Sequence, residues 1–114
     1  MSKKSTEVLL AYILDSIEKI EQALQGMGRE EFLGSFVFQD VADRRLEIIG
    51  EAAVYLPEEF KSAYPEIEWG EIIGTRNKIT HEYFSVDHKL VWEIIQHDLP
   101  KLKKQITDIL DKSK

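Results

Sequence analysis

The chain has 114 residues, of which 43% are hydrophobic and 32% are charged, a composition typical of one globular domain and not of a disordered chain. Its formal net charge of −6 means that the surface as a whole repels nucleic acid and anionic membranes, so that binding either one requires a local positive site. The absence of cysteine excludes disulfides, thiolate zinc sites and a cysteine nucleophile, and it suits a reducing cytoplasm.

The first predicted helix runs from Thr6 to Gln25. Its apolar residues recur at alternating spacings of four and three and so form one stripe: Ile13, Ile17, Ile20 and Leu24. The apolar run from Val8 to Leu14 is too short for a signal peptide or a membrane span, and we expect a cytoplasmic protein that has no membrane partner. Gly26 and Gly28 end the helix, because glycine accepts the left-handed conformation of a helix cap.

A short helical turn over residues 29–33, anchored by Phe32, leads into a second long helix from Phe36 to Leu56. The predicted buried side of this helix carries Val41, Ile48, Ile49, Ala52 and Leu56. A polar stripe of alternating charge follows at spacings of four, three and four: Asp40, Arg44, Glu47 and Glu51. The stripe is either a solvated face with ion pairs inside the helix or the charged wall of a cleft. Arg45 lies on the apolar side, where it either reaches water past its apolar neighbours or meets a partner chain.

Prolines divide the second half of the chain. Leu56-Pro57 ends the second long helix, because the residue before a proline is pushed out of the helical region. Residues 58–61 are predicted to form a turn, and Pro65 breaks the chain again. The next helix is predicted to run from Trp69 to Phe84.

The last helical region is predicted from His88 to Lys112, with Ser85 or Asp87 as its cap. Its apolar stripe consists of Val91, Ile95, Leu99, Leu102, Ile106 and Ile109. Pro100 has no amide hydrogen, so the helix is expected to kink or restart there, with Asp98 as the N-cap of the restarted helix.

The helices together predict the fold class. No segment alternates with a period of two for long enough to be a strand. We therefore expect an all-α, antiparallel bundle of four to five helices that forms a single domain over residues 1–114. A bundle of this size has little core, which favours a homodimer through a helix face.

The most informative stretch is Arg76-Asn77-Lys78-Ile79-Thr80-His81-Glu82-Tyr83. On a helix, Arg76 lies on a mainly apolar stripe together with Trp69, Ile73, Thr80 and Tyr83. An arginine there needs a partner, which is a carboxylate, a phosphate or a dimer cleft. Glu51 either is that partner across the bundle or pairs within its own helix. His81 is rotated by about 140° from Arg76 around the helix axis, so the two side chains flank a groove and do not touch.

These residue types suit the cleavage of RNA without a metal. A histidine can take the proton of a ribose 2′-hydroxyl, and an arginine can neutralise the charge that develops on the attacked phosphate. The expected product is a 2′,3′-cyclic phosphate. From the residues alone, a salt-bridged arginine and a histidine with an ordinary structural role remain the commoner explanation.

The stretch resembles the R-x-x-x-x-H-x-Y signature of HEPN-domain toxins of the HepT type. The segments around it are similar as well, from Trp69 through Ile72-Ile73-Gly74 to Arg76-Asn77, and then from Asp87 to Pro100. Residues 48–52, Ile-Ile-Gly-Glu-Ala, resemble the second-helix segment of that family. The resemblance extends over nearly the whole chain.

The resemblance implies a toxin of a HEPN/MNT toxin–antitoxin system, which is a dimeric ribonuclease that uses no metal or other cofactor. It implies that Arg76 and His81 form the catalytic pair, that Asn77 supports them, and that RNA is the substrate. It also implies a nucleotidyltransferase antitoxin of the MNT type, which transfers AMP to Tyr83 and thereby silences the toxin. AMP there adds negative charge and bulk close to Arg76.

A second hypothesis follows from the acidic net charge, which is unfavourable for an enzyme that acts on RNA. In this alternative the chain is a non-catalytic HEPN nucleotide-binding module that serves as the helper subunit of a nucleotidyltransferase. Of the other polar candidates, His88 and His97 are expected at the surface, and no metal cluster is expected. Trp69 and Trp92 are expected in the core or in a cleft wall.

Overall fold

The computed structural model describes residues 4–112 and is helical throughout, with no strand among these residues. Its α-helices are α1 (Thr6–Ala23), α2 (Arg29–Leu33), α3 (Phe36–Tyr55), α4 (Glu58–Ala63), α5 (Trp69–His81), α6 (His88–Glu93) and α7 (Leu99–Lys112). A 3₁₀ turn (Tyr83–Ser85) follows α5, and a π-helical segment (Ile94–Asp98) joins α6 to α7. The prediction of an all-α bundle is confirmed.

Side-chain caps explain where the helices begin. The hydroxyl of Ser5 accepts a hydrogen bond from the amide of Val8 at 3.1 Å, and the carboxylate of Asp87 accepts one from the amide of Lys89 at 3.0 Å. Of the two caps predicted for the last helix, Asp87 is therefore correct. Helix α1 ends at Ala23, two residues before the predicted Gln25, because the chain already turns toward Gly26, whose φ is 77°.

Of the two outcomes predicted at Pro100, a kink or a restart of the helix, the restart is wrong. The backbone stays helical through Leu99 (φ −67°, ψ −40°), whose amide donates to the carbonyl of Ile94 across a wider π turn. Asp98 lies inside this turn and is not an N-cap. The wider turn accommodates Pro100 near the start of α7, where its missing amide hydrogen costs least.

One hydrophobic cluster holds the helices together. Helix α3 packs against both α1 and α5, and α7 packs along α1. Phe32 of α2 is fully buried, as expected of an anchor, and its ring centroid lies 5.3 Å from that of Trp92. Trp69 and Trp92 are both 8% exposed, so their predicted place in the core is confirmed. No helix in residues 4–112 is both long and apolar enough to cross a membrane.

The crossing of α3 and α5 is unusually close at Gly50. A Cβ atom added at Gly50 would overlap the Cβ of Arg76, and it would lie 2.8 Å from the Cγ of Arg76 and 3.1 Å from the carbonyl oxygen of Ile72. Glycine is therefore required at this position by contact and not by backbone conformation. This contact places Arg76 next to Gly50 of α3, one residue before Glu51.

Candidate active site along helix α5

The motif helix is shorter than predicted. Helix α5 ends at His81, Glu82 leaves the helical region (φ −130°, ψ 45°), and Tyr83 begins the 3₁₀ turn. The predicted helix from Trp69 to Phe84 is therefore wrong in its last turn, and Tyr83 does not continue the stripe of Arg76. Asp87, four residues after Tyr83, is extended and caps α6.

Three polar contacts join α5 and its following turn to the polar stripe of α3. Nη2 of Arg76 donates to Oε1 of Glu51 at 2.9 Å, and Oγ1 of Thr80 donates to Oε2 of Glu47 at 2.9 Å. The hydroxyl of Tyr83 donates to Oδ1 of Asp40 at 3.3 Å. The α3 partners come in the reverse order of the residues that contact them, from Glu51 for Arg76 to Asp40 for Tyr83. The two segments therefore run antiparallel.

These contacts bear on both interpretations of the α3 stripe. Ion pairs inside the helix are absent from the described residues, and Asp40, Glu47 and Glu51 bond to the α5 segment instead. Arg44, Glu47 and Glu51 line a groove, while Asp40, Arg44 and Glu51 are also exposed to solvent. The pairing of Glu51 with Arg76 across the bundle is confirmed.

Arg76 is held from two sides. Its Nη1 donates to the side-chain oxygen of Asn77 at 2.7 Å, while Nη2 is bound to Glu51, and the side chain is 22% exposed. A guanidinium carries five N–H donors, so further donors remain for a ligand. The Cβ and Cγ of Arg76 occupy the space that a side chain at Gly50 would need. The result is a fixed, partly exposed cation.

His81 is the last residue of α5 and is exposed. No hydrogen bond or ion pair within residues 4–112 joins it to Arg76 or to any other side chain. The structure of one chain therefore leaves Arg76 and His81 apart, on different sides of the same helix.

Tyr83 is 52% exposed, and its hydroxyl faces an acidic surface. The charge of Asp40 and the hydrogen bond to it raise the pKa of Tyr83 above its ordinary value, and Asp43 and Glu47 add to this effect. The phenol accordingly stays protonated at neutral pH. Its ring meets that of Phe84 edge-on, with centroids 5.8 Å apart, and Phe84 itself is fully exposed.

A groove of about 810 Å³ opens beside Arg76 between α1, α3 and α5. Arg44, Tyr12 and Tyr55 line it together with Glu47 and Glu51. Arg44 is exposed and makes no ion pair with any residue that the structure describes. No local pattern places Tyr12 and Tyr55 in one groove, because 43 positions separate them and the packing of α1 on α3 brings them together.

His88 is not the surface residue that we expected. Its Nε2 lies 2.8 Å from Oδ2 of Asp43, which is 3% exposed, and its ring forms a T-shaped contact with that of Phe32 at a centroid distance of 6.4 Å. Burial raises the pKa of Asp43, although the hydrogen bond and the charge of His88 act in the opposite direction. Asp43 falls three residues before the buried Leu46, a spacing that could have placed it on the inner side of α3. His97 is exposed as expected, near Glu93.

The chain matches known proteins over almost its full length. The family model described as ribonuclease HepT-like covers residues 13–109. A provisionally named RNase of Caldanaerobacter subterraneus subsp. tengcongensis is 39% identical over 111 residues, which are 97% of this chain and 99% of that protein. The probable ribonuclease HepT of Thermococcus cleftensis is 40% identical over 101 residues, or 89% of this chain and 92% of the relative.

One similar protein is longer than the chain. It is a Methanocaldococcus jannaschii protein named as a gamma-glutamylcyclotransferase and, provisionally, an RNase. It is 42% identical over 115 residues, which cover 98% of this chain but 52% of that protein. No solved structure matches the chain significantly.

Proposed function

The chain belongs to the HepT-like ribonuclease family, and on this premise we propose that it is the ribonuclease toxin of a HEPN/MNT toxin–antitoxin system. The observation that carries the proposal is the fixed, partly exposed guanidinium of Arg76 on the same helix as the unpaired imidazole of His81. RNA is the substrate, and no metal is needed for its cleavage.

The chemistry divides between the two side chains. The imidazole of His81 takes the proton of a ribose 2′-hydroxyl, and that oxygen attacks the adjacent phosphorus. Arg76 neutralises the charge on the non-bridging oxygens. The bond to the 5′-oxygen then breaks, the imidazole of His81 returns its proton to this oxygen as general acid, and a 2′,3′-cyclic phosphate remains. Asn77 supports the reaction by holding Nη1 of Arg76 in place.

The separation of Arg76 and His81 is the reason to propose a homodimer. A two-fold interface brings the same surface of both chains together. An RNA strand bound to Arg76 of one chain can then contact His81 of the second chain. Each site then uses Arg76 of one copy and His81 of the other. Alternatively, the two pairs lie together in one shared cleft.

The groove beside Arg76 supports a single-stranded substrate. Single-stranded RNA is bound by cations that follow the backbone and by aromatic rings on which bases stack. Arg44 supplies a second cation at the groove, and Tyr12 and Tyr55 supply exposed rings. The unpaired state of Arg44 matters because the net charge of −6 otherwise repels RNA.

Control by a nucleotidyltransferase of the MNT type is part of the proposal. The Tyr83 oxygen attacks the α-phosphorus of ATP, pyrophosphate leaves, and the phenolic proton passes to Asp40 or to water. The exposure of Tyr83 and its hydrogen bond to Asp40 support this assignment. Tyr83 follows His81 by two residues, so the added nucleotide obstructs the exposed end of α5 by its volume and its charge.

A second candidate function follows from the contact between Arg76 and Glu51. A carboxylate already occupies the arginine, and the chain as a whole is acidic. Both facts favour a non-catalytic HEPN module that binds a nucleotide and assists a nucleotidyltransferase. In this case the chain would bind ATP but would not cut RNA.

Incubation of the purified protein with RNA in EDTA tests the catalytic proposal. Wild type and a His97→Ala control should yield fragments that end in a 2′,3′-cyclic phosphate. Cleavage by Arg76→Ala and His81→Ala should fall about 100-fold or more, as expected on loss of a charge-stabilising or proton-transferring group. Equal cleavage by wild type and His81→Ala would show that His81 is not catalytic.

The AMP step is tested separately by intact mass after co-expression with the partner. Wild type should gain one or more AMP groups, and Tyr83→Phe should gain none. Addition that persists in Tyr83→Phe would assign another acceptor and leave the ribonuclease proposal untouched.

A further inference from the structure

The bundle is open between α5 and the α6–α7 segment. Helix α5 packs along α3 and α7 packs along α1, but α5 and α7 barely touch each other. A groove of about 570 Å³ lies between them. Thr75 and Lys78 of α5 line it, and they lie about 100° and 160° from Arg76 around the helix axis. This groove is therefore a different surface from the groove beside Arg76.

The floor of the open groove is apolar. Ile72 and Ile79 of α5 face Leu90, Val91, Ile94 and Leu102 from the other wall. Leu90 is 57% exposed, and Ile72 and Ile94 are only partly buried. Apolar side chains left open to water within one groove are typical of a surface that another molecule covers.

The rim of this groove is acidic. Five carboxylates line it against two lysines: Glu66, Glu68, Glu71, Asp87 and Asp98 against Lys78 and Lys101. None of the five makes an ion pair with a residue in the described part of the chain. Glu68 and, more weakly, Asp98 raise the pKa of Glu71, which reflects like charges held together without a cation. The rim lacks the positive charge that would balance it.

The groove is elongated. Its α5 wall runs from Glu68 to Ile79, which spans about 16 Å of helix, and its other wall runs from Leu90 to Gln105, about 22 Å. A length of three to four helical turns suits a helix better than a compact small molecule.

We propose that this groove binds an amphipathic helix of a partner protein, whose leucine-type residues enter the apolar floor and whose lysines or arginines meet the acidic rim. The charge on the rim selects this occupant over an acidic or a neutral helix. The inference does not depend on the proposed ribonuclease activity, because none of the residues named in it takes part in the reaction.

Fluorescence anisotropy with two synthetic helices tests the proposal. One is an 18-residue peptide of leucine and lysine with leucines at helical spacing, and the other has glutamate in place of every lysine. The full chain should bind the lysine peptide at least ten-fold more tightly than the glutamate peptide, and affinity should fall as salt rises. Methyl resonances of Leu90, Ile94 and Ile72 should shift on binding.

Paired charge reversals locate the site. Glu68→Lys with Glu71→Lys should weaken binding at least ten-fold, whereas Glu30→Lys with Glu31→Lys on α2 makes the same change in net charge and should not. A second variant, Leu90→Gln, removes floor contact without altering charge and should weaken binding as well. Circular dichroism checks that each variant is folded.

Three results would overturn the proposal. The first is equal binding of both peptides, and the second is an equal loss of binding from the control reversal on α2. The third is a dimer in sedimentation that Leu90→Gln dissociates, because the groove would then be covered by a second copy of this chain.

Discussion

Gly50 and Arg76 lie so close together that no side chain fits at Gly50 without displacing the arginine. The Cγ of Arg76 would be 2.8 Å from an added Cβ, and the carbonyl oxygen of Ile72 would be 3.1 Å from it. Arg76 therefore takes its position from the spacing of α3 and α5 as much as from its own hydrogen bonds.

Gly50→Ala should thus reduce activity and stability together. Relief of the overlap requires α5 to move away from α3, at a cost of about 1–3 kcal/mol in the free energy of unfolding. A shift of about 1 Å at Arg76 is expected to lower cleavage up to about 100-fold. Urea unfolding and RNA cleavage measure the two effects.

Gly74→Ala is the matched control for this change. Nothing lies within 4 Å of a Cβ at Gly74, which is also within α5. Alanine there should stabilise the helix by about 1 kcal/mol and leave cleavage unchanged. A loss of activity in Gly74→Ala equal to that in Gly50→Ala would contradict the role assigned to the Gly50 contact.

Glu51→Gln should strengthen RNA binding. The amide can still accept the hydrogen bond from Arg76, but it no longer neutralises the guanidinium that a phosphate must bind. Loss of a partly exposed pair of this kind corresponds to about 0.5–1 kcal/mol, or a two- to five-fold lower KM for RNA. Glu30→Gln, at an exposed position on α2, should leave KM unchanged. A higher KM in Glu51→Gln would mean that Glu51 is needed to orient the arginine.

Asp40→Asn should lower the pKa of Tyr83. Asp40 is the largest cause of the raised pKa, through its charge and its hydrogen bond, so its removal should bring the value back toward 10.0. Titration of the tyrosine ring by NMR, with Tyr83→Phe to identify the resonance, follows the change. Asp108→Asn is the control, since Asp108 pairs with Lys104 and not with Tyr83. An unchanged titration in Asp40→Asn would show that the contact does not persist in solution.

Asp43→Asn should gain stability relative to wild type as pH rises. Burial raises the folded-state pKa of Asp43 above 3.8, so the folded protein binds its proton more tightly than the unfolded chain does. The stability that Asp43 contributes is therefore full below 3.8 and is lost as pH rises through the folded pKa.

The free energy of unfolding of wild type, minus that of Asp43→Asn, should accordingly fall as pH rises from 3.8 through the folded-state pKa of Asp43. Urea unfolding at several pH values measures it. The same series in a His88→Gln background separates the titration of Asp43 from that of its partner. A difference that grows with pH would mean that the pair with His88 outweighs burial.

Local features of the fold were predictable, because they depend on neighbours in the chain. The start of α1 at Thr6 and of α3 at Phe36 follows from the serine that precedes each one, and both starts were predicted correctly. The turn at Gly26 was predictable for the same reason. The end of α5 at His81 was not, because no glycine or proline marks it in the sequence.

Contacts between helices were predictable only where a charge demanded a partner. Arg76 on an apolar stripe required a carboxylate, and Glu51 was a candidate. The pairing of Asp43 with His88 gave no such signal, because a histidine at the start of a helix is ordinarily exposed. The bonds of Thr80 and Tyr83 to α3 also depend on the register of the two helices, which no local pattern determines.

The π turn between α6 and α7 also bears on how the chain tolerates changes in length. A single such turn holds one residue more than an α-helical turn, so the apolar stripe of α7 stays in phase with Val91 of α6 and Ile95 of the π-helical segment. Deletion of one exposed residue here, such as Gln96, would convert the segment to regular α-helix and keep both stripes aligned. Deletion of one residue of α3 before Asp40 would instead rotate every later side chain of that helix by about 100° and disconnect Asp40, Glu47 and Glu51 from their partners.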